Sequence, residues 1–426
     1  MNAGSRLPRH ALVALLAAAS VFQACAASGP GPAGRTPDLS AAARSGAPAA
    51  TTPSLVPTAT LAPPRATPAP MPTPQLTPGL VRQLCAAILA VKARDRFPGV
   101  QVVIAYGGGW TWTARAGFAN VSTRQAVSPT TLYNAGSITK TFVAALILQL
   151  VNQGLIGLDD PLSRWLPGLP YAPDVTIREL LNHTSGIDDA FNHAALLKAI
   201  DAAKRSPWSL DQVLAFVKKP YFAAGTGWAY SNTNYILLGR VIELATGQTV
   251  ASLLRQRFFV PLGLTHTYLE SEEPAAGGVA HGYDFTGHGW SIRDDSDGTT
   301  YLPYTSLATA IGTAGSLVTT AGDLALWSQA LYGGRVLSPA MLAQMVNFTT
   351  TVPFHPRWPY GLGVMRISLD GFGSWGHSGT LSGFRSVMRY FPAGRLSIVV
   401  MTNINGAMPD DVVRALLAVL YPPTPS

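Results

Sequence analysis

Segments with strand character lie near both ends of the region 79–426, and helical periodicity fills the stretch between them. Gly99–Tyr106 (Gly-Val-Gln-Val-Val-Ile-Ala-Tyr) reads as a strand, a Gly-rich turn follows at 107–109, and Trp110–Phe118 pairs back as a hairpin. At the other end Gly361–Ser368, Gly383–Phe391 and Leu396–Asn403 read as strands, followed by a helix over Asp410–Leu420. Pro78–Arg94 has the pattern of an amphipathic helix, and helical pattern dominates from Lys140 to about Leu264, broken by Pro/Gly loops at 161–173 and 220–227. Strands separated in this way share a sheet if the two ends of the region meet. The expectation is therefore α+β, with one antiparallel sheet formed by both termini of the domain and an intervening, mostly helical lobe packed on one side.

Residues 1–78 do not belong to that fold. Arg6, Arg9 and His10 precede the apolar stretch Ala11–Phe22, so 1–25 read as an export signal, too short to span a bilayer comfortably. Phe22-Gln23-Ala24-Cys25 resembles a lipobox with Phe at an unusual place, which makes Cys25 a lipidation site; plain cleavage near Ala24–Ala27 is the alternative. From Gly29 to Pro78 there are 13 prolines and four charges in 50 residues, and such a segment cannot bury enough apolar surface to offset its ordering entropy. Residues 26–78 read as a disordered Pro/Ala/Thr-rich tether and 79–426 as the folded domain. The expected location is outside the cytoplasmic membrane, lipid-anchored or secreted, with the membrane touched only through the anchor.

The formal net charge of +8 falls to +4 over 79–426, with no Lys/Arg cluster interleaved with aromatics, so nucleic acid is not an expected partner. The two cysteines, Cys25 and Cys85, cannot make a disulfide framework within the domain. Stability has to come from a large apolar core.

Ser137-Ile-Thr-Lys140 heads the apolar run Phe142–Val151. Residues three apart share a helix face, so the lysine amine can reach the serine hydroxyl. Burial would lower the lysine pKa and let it accept a proton. Free backbone N–H groups at the helix start would favour a developing oxyanion. Alone, the pair is weak. Two further segments add to it. Tyr230-Ser-Asn232 follows a Gly-rich loop and leads into a helical segment; a phenol there can relay protons if nearby cations favour the phenolate, and an amide suits a substrate carbonyl, although ordinary helix capping by Ser231, Asn232 or Asn234 reads equally well. Trp375-Gly-His377-Ser378-Gly379-Thr380 sets two glycines around a histidine on a strand, where glycine often marks a close approach. An exposed edge there could supply a second oxyanion donor and bind a peptide-like substrate by strand addition, with a loop histidine as the bland alternative.

Taken in order, these three motifs resemble the penicillin-recognising serine hydrolases: class C β-lactamases, DD-peptidases and related esterases. Thr131-Leu-Tyr-Asn-Ala-Gly-Ser-Ile-Thr-Lys140, Leu155-Ile-Gly-Leu-Asp-Asp-Pro, Val175-Thr-Ile-Arg-Glu-Leu-Leu-Asn-His-Thr-Ser-Gly and Tyr230-Ser-Asn-Thr-Asn-Tyr extend the likeness over about 82–420. The resemblance implies a β-lactamase/transpeptidase-like fold and an acyl-enzyme on Ser137. Lys140 would take the serine proton and Tyr230 would shuttle protons. The N–H groups of Ser137 and Thr380 would form the oxyanion hole, with Asn232, Ser378, Gly379 and the Thr380 hydroxyl around the substrate. His377 would stand in for the cation that stabilises the tyrosine and draws a substrate carboxylate. No lysine occurs after Lys219, so the lysine-bearing third motif is excluded.

Histidine in that place is what some secreted DD-carboxypeptidases and several esterase-like relatives carry, so the resemblance implies a D-alanyl-D-alanine carboxypeptidase-like activity on cell-wall peptides. An esterase or weak β-lactamase is the alternative, and a non-catalytic surface binding module a less favoured one. Arg366, in Gly361-Leu-Gly-Val-Met-Arg366, falls one residue late for the carboxylate-binding position of carboxypeptidase relatives, and one step along a strand points to the other face, so either a bulge realigns Arg366 or the carboxylate site is incomplete. A peptide, ester or β-lactam substrate, no cofactor, no metal and a monomer are expected. Glu179 reads as helix-end chemistry, His183 as a cap or packing residue, and His281 and His288 as loop residues rather than zinc ligands.

Overall fold

The computed structural model describes residues 71–286, 291–299, 301–348 and 359–422; Cys25, the expected signal, the tether as far as residue 70 and His288 lie outside them. The α+β architecture matches the expectation. Five helices matter for the site: α1 (Pro78–Asp95), α2 (Thr139–Asn152), α3 (Asn232–Thr246), α4 (Ala321–Tyr332) and α5 (Pro409–Leu420). The main sheet has seven strands, β1 (Gly99–Tyr106), β2 (Thr111–Asn120), β3 (Gln125–Ala126), β4 (Met365–Leu369), β5 (Phe372–Leu381), β6 (Phe384–Phe391) and β7 (Leu396–Thr402). Their spatial order is β3-β2-β1-β7-β6-β5-β4, so the two ends of the domain meet where β1 pairs antiparallel with β7, Val103 opposite Val399.

The sheet is covered on both faces, which explains why β1 and β7 are buried along their whole length and read as unbroken apolar runs. One core joins the sheet to α1 and α5 through Ile88, Val102, Ile398 and Leu416. The other joins its opposite face to α4 and the helical lobe through Val103, Val399, Trp327 and Phe142. Helix α2 runs through the middle of that second core, with eleven of its fourteen residues buried, and Phe142 stacks on Trp327 at 3.9 Å. Both amphipathic terminal helices start with proline at the first turn, where the missing N–H costs nothing.

Three details differ from the sequence reading. Residues 71–77, assigned to the tether, already lie on the domain: Met71 is buried, its N–H bonds the Ala393 carbonyl, and Trp110 Nε1 donates to the Pro74 carbonyl at 2.7 Å. The strand expected from Gly361 begins only at Met365, because Gly361–Gly363 is bent inward onto α2. There Gly363 sits at φ 74°, and a Cβ on it would stand 2.6 Å from Ala144. A small three-stranded sheet in the lobe (Tyr133–Asn134, Leu317–Thr319 and Tyr268–Leu269) was too short to read from periodicity.

Candidate active site

Ser137 occupies a short 3-10 turn, Gly136–Ile138, that feeds directly into α2. The turn rests against the edge of β5. Strand β4 pairs with Phe372–Gly376 only, which leaves His377–Leu381 of β5 to face this turn. Leu381 and Phe384 close the two-residue turn into β6, so alternate residues direct their N–H groups outward and Thr380 N–H points off the edge. The approach is as close as backbone permits. A Cβ on Gly136, which has φ 53°, would stand 2.5 Å from Thr380 N, and one on Gly379 would stand 1.9 Å from the Ala135 carbonyl oxygen. Both glycines are needed for the backbone of the turn and the strand edge at Thr380 to come this close.

Lys140, one turn into α2, is fully buried. Its Nζ lies 3.0 Å from Ser137 Oγ, 2.8 Å from Asn232 Oδ1 and 2.7 Å from the Ala314 carbonyl oxygen. The rings of Tyr230 and Tyr235 flank it, with centroids 4.9 and 5.3 Å away. Burial pulls its pKa down to about 7, and the Asp189 carboxylate opposes that fall. Asn232 is the first residue of α3 and does not act as its cap. Instead its amide spans from Lys140 to Asp189 Oδ2, at 2.9 Å. Burial pushes the pKa of Tyr230 well above the ordinary tyrosine value, so it is a neutral phenol and not the phenolate considered from sequence.

His377 is the clearest correction. The sequence reading made it a cation, but it is fully buried on the lobe face of β5, and burial together with Lys140 lowers its pKa to about 3. Its Nδ1 lies 2.6 Å from the Ser378 carbonyl, which places the ring proton there, and Nε2 accepts from the Tyr360 hydroxyl at 2.9 Å. A neutral imidazole does not draw a carboxylate. Ser378 points to the opposite face, where its Oγ accepts from Arg389 Nη2 at 2.6 Å; that buried guanidinium is itself paired with Asp410 at 2.8 Å. Thr380 lies on that same face with an exposed side chain, so the group it brings to Ser137 is its N–H.

Arg366 pairs with Trp375 on the lobe face of the sheet, and its guanidinium sits 5.3 Å from the Phe348 ring centroid. The one-residue offset is not repaired by a bulge, since β4 pairs with β5 in continuous register from Leu369 to Met365. The structure does not bring Arg366 into the Ser137–Lys140–Tyr230 group through any contact among the described residues.

A profile of the beta-lactamase family matches residues 81–421. The chain belongs to the beta-lactamase family. Penicillin-binding protein 4* of Bacillus subtilis (strain 168) is 28% identical over 320 residues, 73% of this chain and 69% of that protein. D-aminopeptidase of Brucella anthropi is 28% identical over 327 residues, which are 77% of this chain but only 60% of that longer protein. Among solved structures, a D-stereospecific amidohydrolase from Streptomyces sp. superposes with a TM-score of 0.67 at 29% identity, covering 78% of this chain and 97% of the other. This beta-lactamase-family chain is a serine hydrolase with the β-lactamase/transpeptidase-like fold.

The family site contains four side chains that the motifs did not reveal. His183 caps the helix Ile177–Asn182 in a left-handed conformation (φ 66°) and lays its ring 4.3 Å from that of Tyr230. Its Nδ1 accepts from Ser231 N–H, and burial keeps it neutral. Tyr360 closes the same aromatic cluster from the Gly361-Leu-Gly side. Asp189 and Arg389 are the buried charges behind Asn232 and Ser378. Capping and packing, expected of His183, are both present; no sequence signal placed it against Tyr230. Glu179 is the third residue of a capping box with Thr176, in keeping with its helix-end reading.

Proposed function

We propose that this hydrolase cleaves amide or ester bonds of small D-amino-acid derivatives through an acyl-enzyme on Ser137. The observation that carries the chemistry is the set of three contacts at Lys140 Nζ. A neutral amine has two N–H donors and one lone pair, and two of its three neighbours, Asn232 Oδ1 and the Ala314 carbonyl, can only accept. The lone pair is thereby directed at the third, the Ser137 hydroxyl. With its pKa lowered to about 7, Lys140 is available as that base at neutral pH.

Ser137 Oγ attacks the carbonyl carbon as its proton passes to Lys140, and the carbonyl oxygen becomes an oxyanion held by Ser137 N–H and Thr380 N–H. As the bond to the leaving group breaks, that group takes a proton from Tyr230, which regains one from the Lys140 ammonium. Water then cleaves the ester by the reverse transfers, restoring the serine and the neutral amine. The proton that leaves with the departing group is replaced by one from the water, so Lys140 and Tyr230 end as they began.

The substrate class rests on charge. A carboxypeptidase needs a cation for the terminal carboxylate, and among the described residues His377 is neutral, Arg366 is turned to Phe348 and Arg389 is paired with Asp410. That favours substrates without a C-terminal carboxylate, in keeping with the names of the D-aminopeptidase and D-stereospecific amidohydrolase relatives. The expected signal and tether fit an enzyme working outside the cytoplasmic membrane, and loss of membrane association in a Cys25→Ala variant tests that. Mass spectrometry after incubation with D-phenylalanine amide, a D-Ala-D-Ala tripeptide and benzylpenicillin tests the substrate reading. Turnover of the amide, abolished in Ser137→Ala, supports it; D-Ala release with no amide turnover replaces it by the carboxypeptidase, and neither turnover nor a Ser137 adduct with any of them refutes both.

A further inference from the structure

Asn232 is the one group at Lys140 that could be turned either way. Its amide ends are of similar size but opposite in chemistry, and in the reverse orientation the N–H₂ end would bind the lysine lone pair and turn it away from Ser137. The Ala314 carbonyl has no such freedom, being backbone. What fixes the amide lies behind it: Asp189 Oδ2, 2.9 Å from Asn232 Nδ2.

We propose that Asp189 is a positioning residue for acyl transfer, fixing the Asn232 amide so that its oxygen, and not its nitrogen, faces Lys140. The inference rests on the reading of Ser137 and Lys140 as nucleophile and base. A carboxylate only accepts, so it selects the N–H₂ end of the amide and leaves the oxygen for the amine. Asp189 is itself held rigidly. It is buried, it accepts from Phe191 N–H at 3.1 Å, and its own N–H donates to the Tyr221 hydroxyl. The neighbouring Asp188 does not compete for the amide; its carboxylate is occupied by His193 and by Lys218 N–H. The anchor, the amide and the amine therefore form one line, Asp189–Asn232–Lys140, ending at Ser137.

The same line carries charge. The other titratable groups packed around Lys140 are Tyr230 and Tyr235 from the α3 segment, His183 from the preceding helix and His377 from β5, all four neutral. Asp189 is the anion among them, and it favours the ammonium form of Lys140. Removing its charge moves the lysine's titration to lower pH while loosening the amide.

The test is the second-order rate of Ser137 labelling by a fluorophosphonate, measured from pH 5 to 9 in wild type, Asp189→Asn, Asn232→Ala and the double variant, with active fraction and thermal melts recorded for each. Asp189→Asn should label roughly 10- to 100-fold more slowly at pH 8, the loss expected when one charge-assisted hydrogen bond ceases to orient a reacting group. The acid limb of its profile should lie at lower pH than in wild type. In the Asn232→Ala background, the Asp189 substitution should cost no more than about threefold further, because its route to Lys140 is already cut. A purely structural role would lower melting temperature and active fraction but leave the acid limb in place. If Asp189→Asn does not fold, Asp189→Ser keeps a capping hydroxyl for Phe191 N–H and removes only the carboxylate. Wild type that never labels at Ser137 overturns the functional reading. Wild type that labels, beside an Asp189 variant within twofold of it and with an unmoved limb, overturns the role of Asp189 alone.

Discussion

Substituting Gly136 by alanine perturbs the oxyanion pocket without touching any side chain of the site. The new methyl would stand 2.5 Å from Thr380 N, whereas atoms in contact lie about 3.5 Å apart, so turn and strand edge must separate by roughly 1 Å. A hydrogen bond of about 2.9 Å stretched by that amount falls outside bonding range, so Thr380 N–H is lost to the oxyanion while Ser137 N–H remains. Losing one such donor costs about 10²- to 10³-fold in rate. Alanine at φ 53° adds about 1–2 kcal/mol of backbone strain, so the melting temperature falls as well. The assay is single-turnover acylation of Ser137 by a chromogenic ester, read beside the melt. The rate of acylation should fall by two to three orders of magnitude, with a much smaller effect on substrate binding. Acylation within threefold of wild type would show that Thr380 N–H is not an oxyanion donor, whatever happened to stability.

Three other outcomes follow from the electrostatics. The kcat/KM profile should have an acid limb near pH 7, falling tenfold per unit below it as Lys140 takes up its proton, and no descending limb from Tyr230 below about pH 10; a profile flat from pH 5 to 8 removes Lys140 as the base. Lys140→Met should be inactive. Wild-type stability relative to that variant should rise between about pH 7 and 10.5, because over that window the unfolded lysine holds a proton that the folded one has lost; the full cost of about 5 kcal/mol applies below the window, and parallel stability curves would contradict the lowered pKa. His377→Gln, which can still accept from Tyr360, should keep activity within about tenfold and leave the pH profile in place, whereas a shifted profile would restore His377 as a cation.

The motifs carried in sequence are those whose partners are near in the chain or shared with a known family: Ser137 and Lys140 lie three apart, and Tyr230 and Asn232 two apart. Architecture was legible for a similar reason, since long apolar strands at both ends need one another. What the sequence concealed was environment. His377 reads as an ordinary histidine until Tyr360 and the Ser378 carbonyl enclose it and burial removes its charge. Asp189 is 43 residues from the amide it holds, in a loop whose neighbouring Asp188 has the same chemistry and a different task. Arg366 shows the opposite limit: the one-residue offset was visible, but only the continuous β4–β5 register decided that it stays uncorrected.

Pairing of β1 with β7 has a consequence for the order of assembly. Val103 and Val399 lie almost 300 residues apart, so the centre of the sheet cannot form until residues 396–402 have been synthesised. Contacts of such long range are slow to close, and before closure β1 presents a bare apolar face. A chain ending before Leu396 would lack β7 and α5 and lose both the partner of β1 and the bridge from it to the strand that carries Thr380. Catalytic competence arrives only once residues 396–420 are in place.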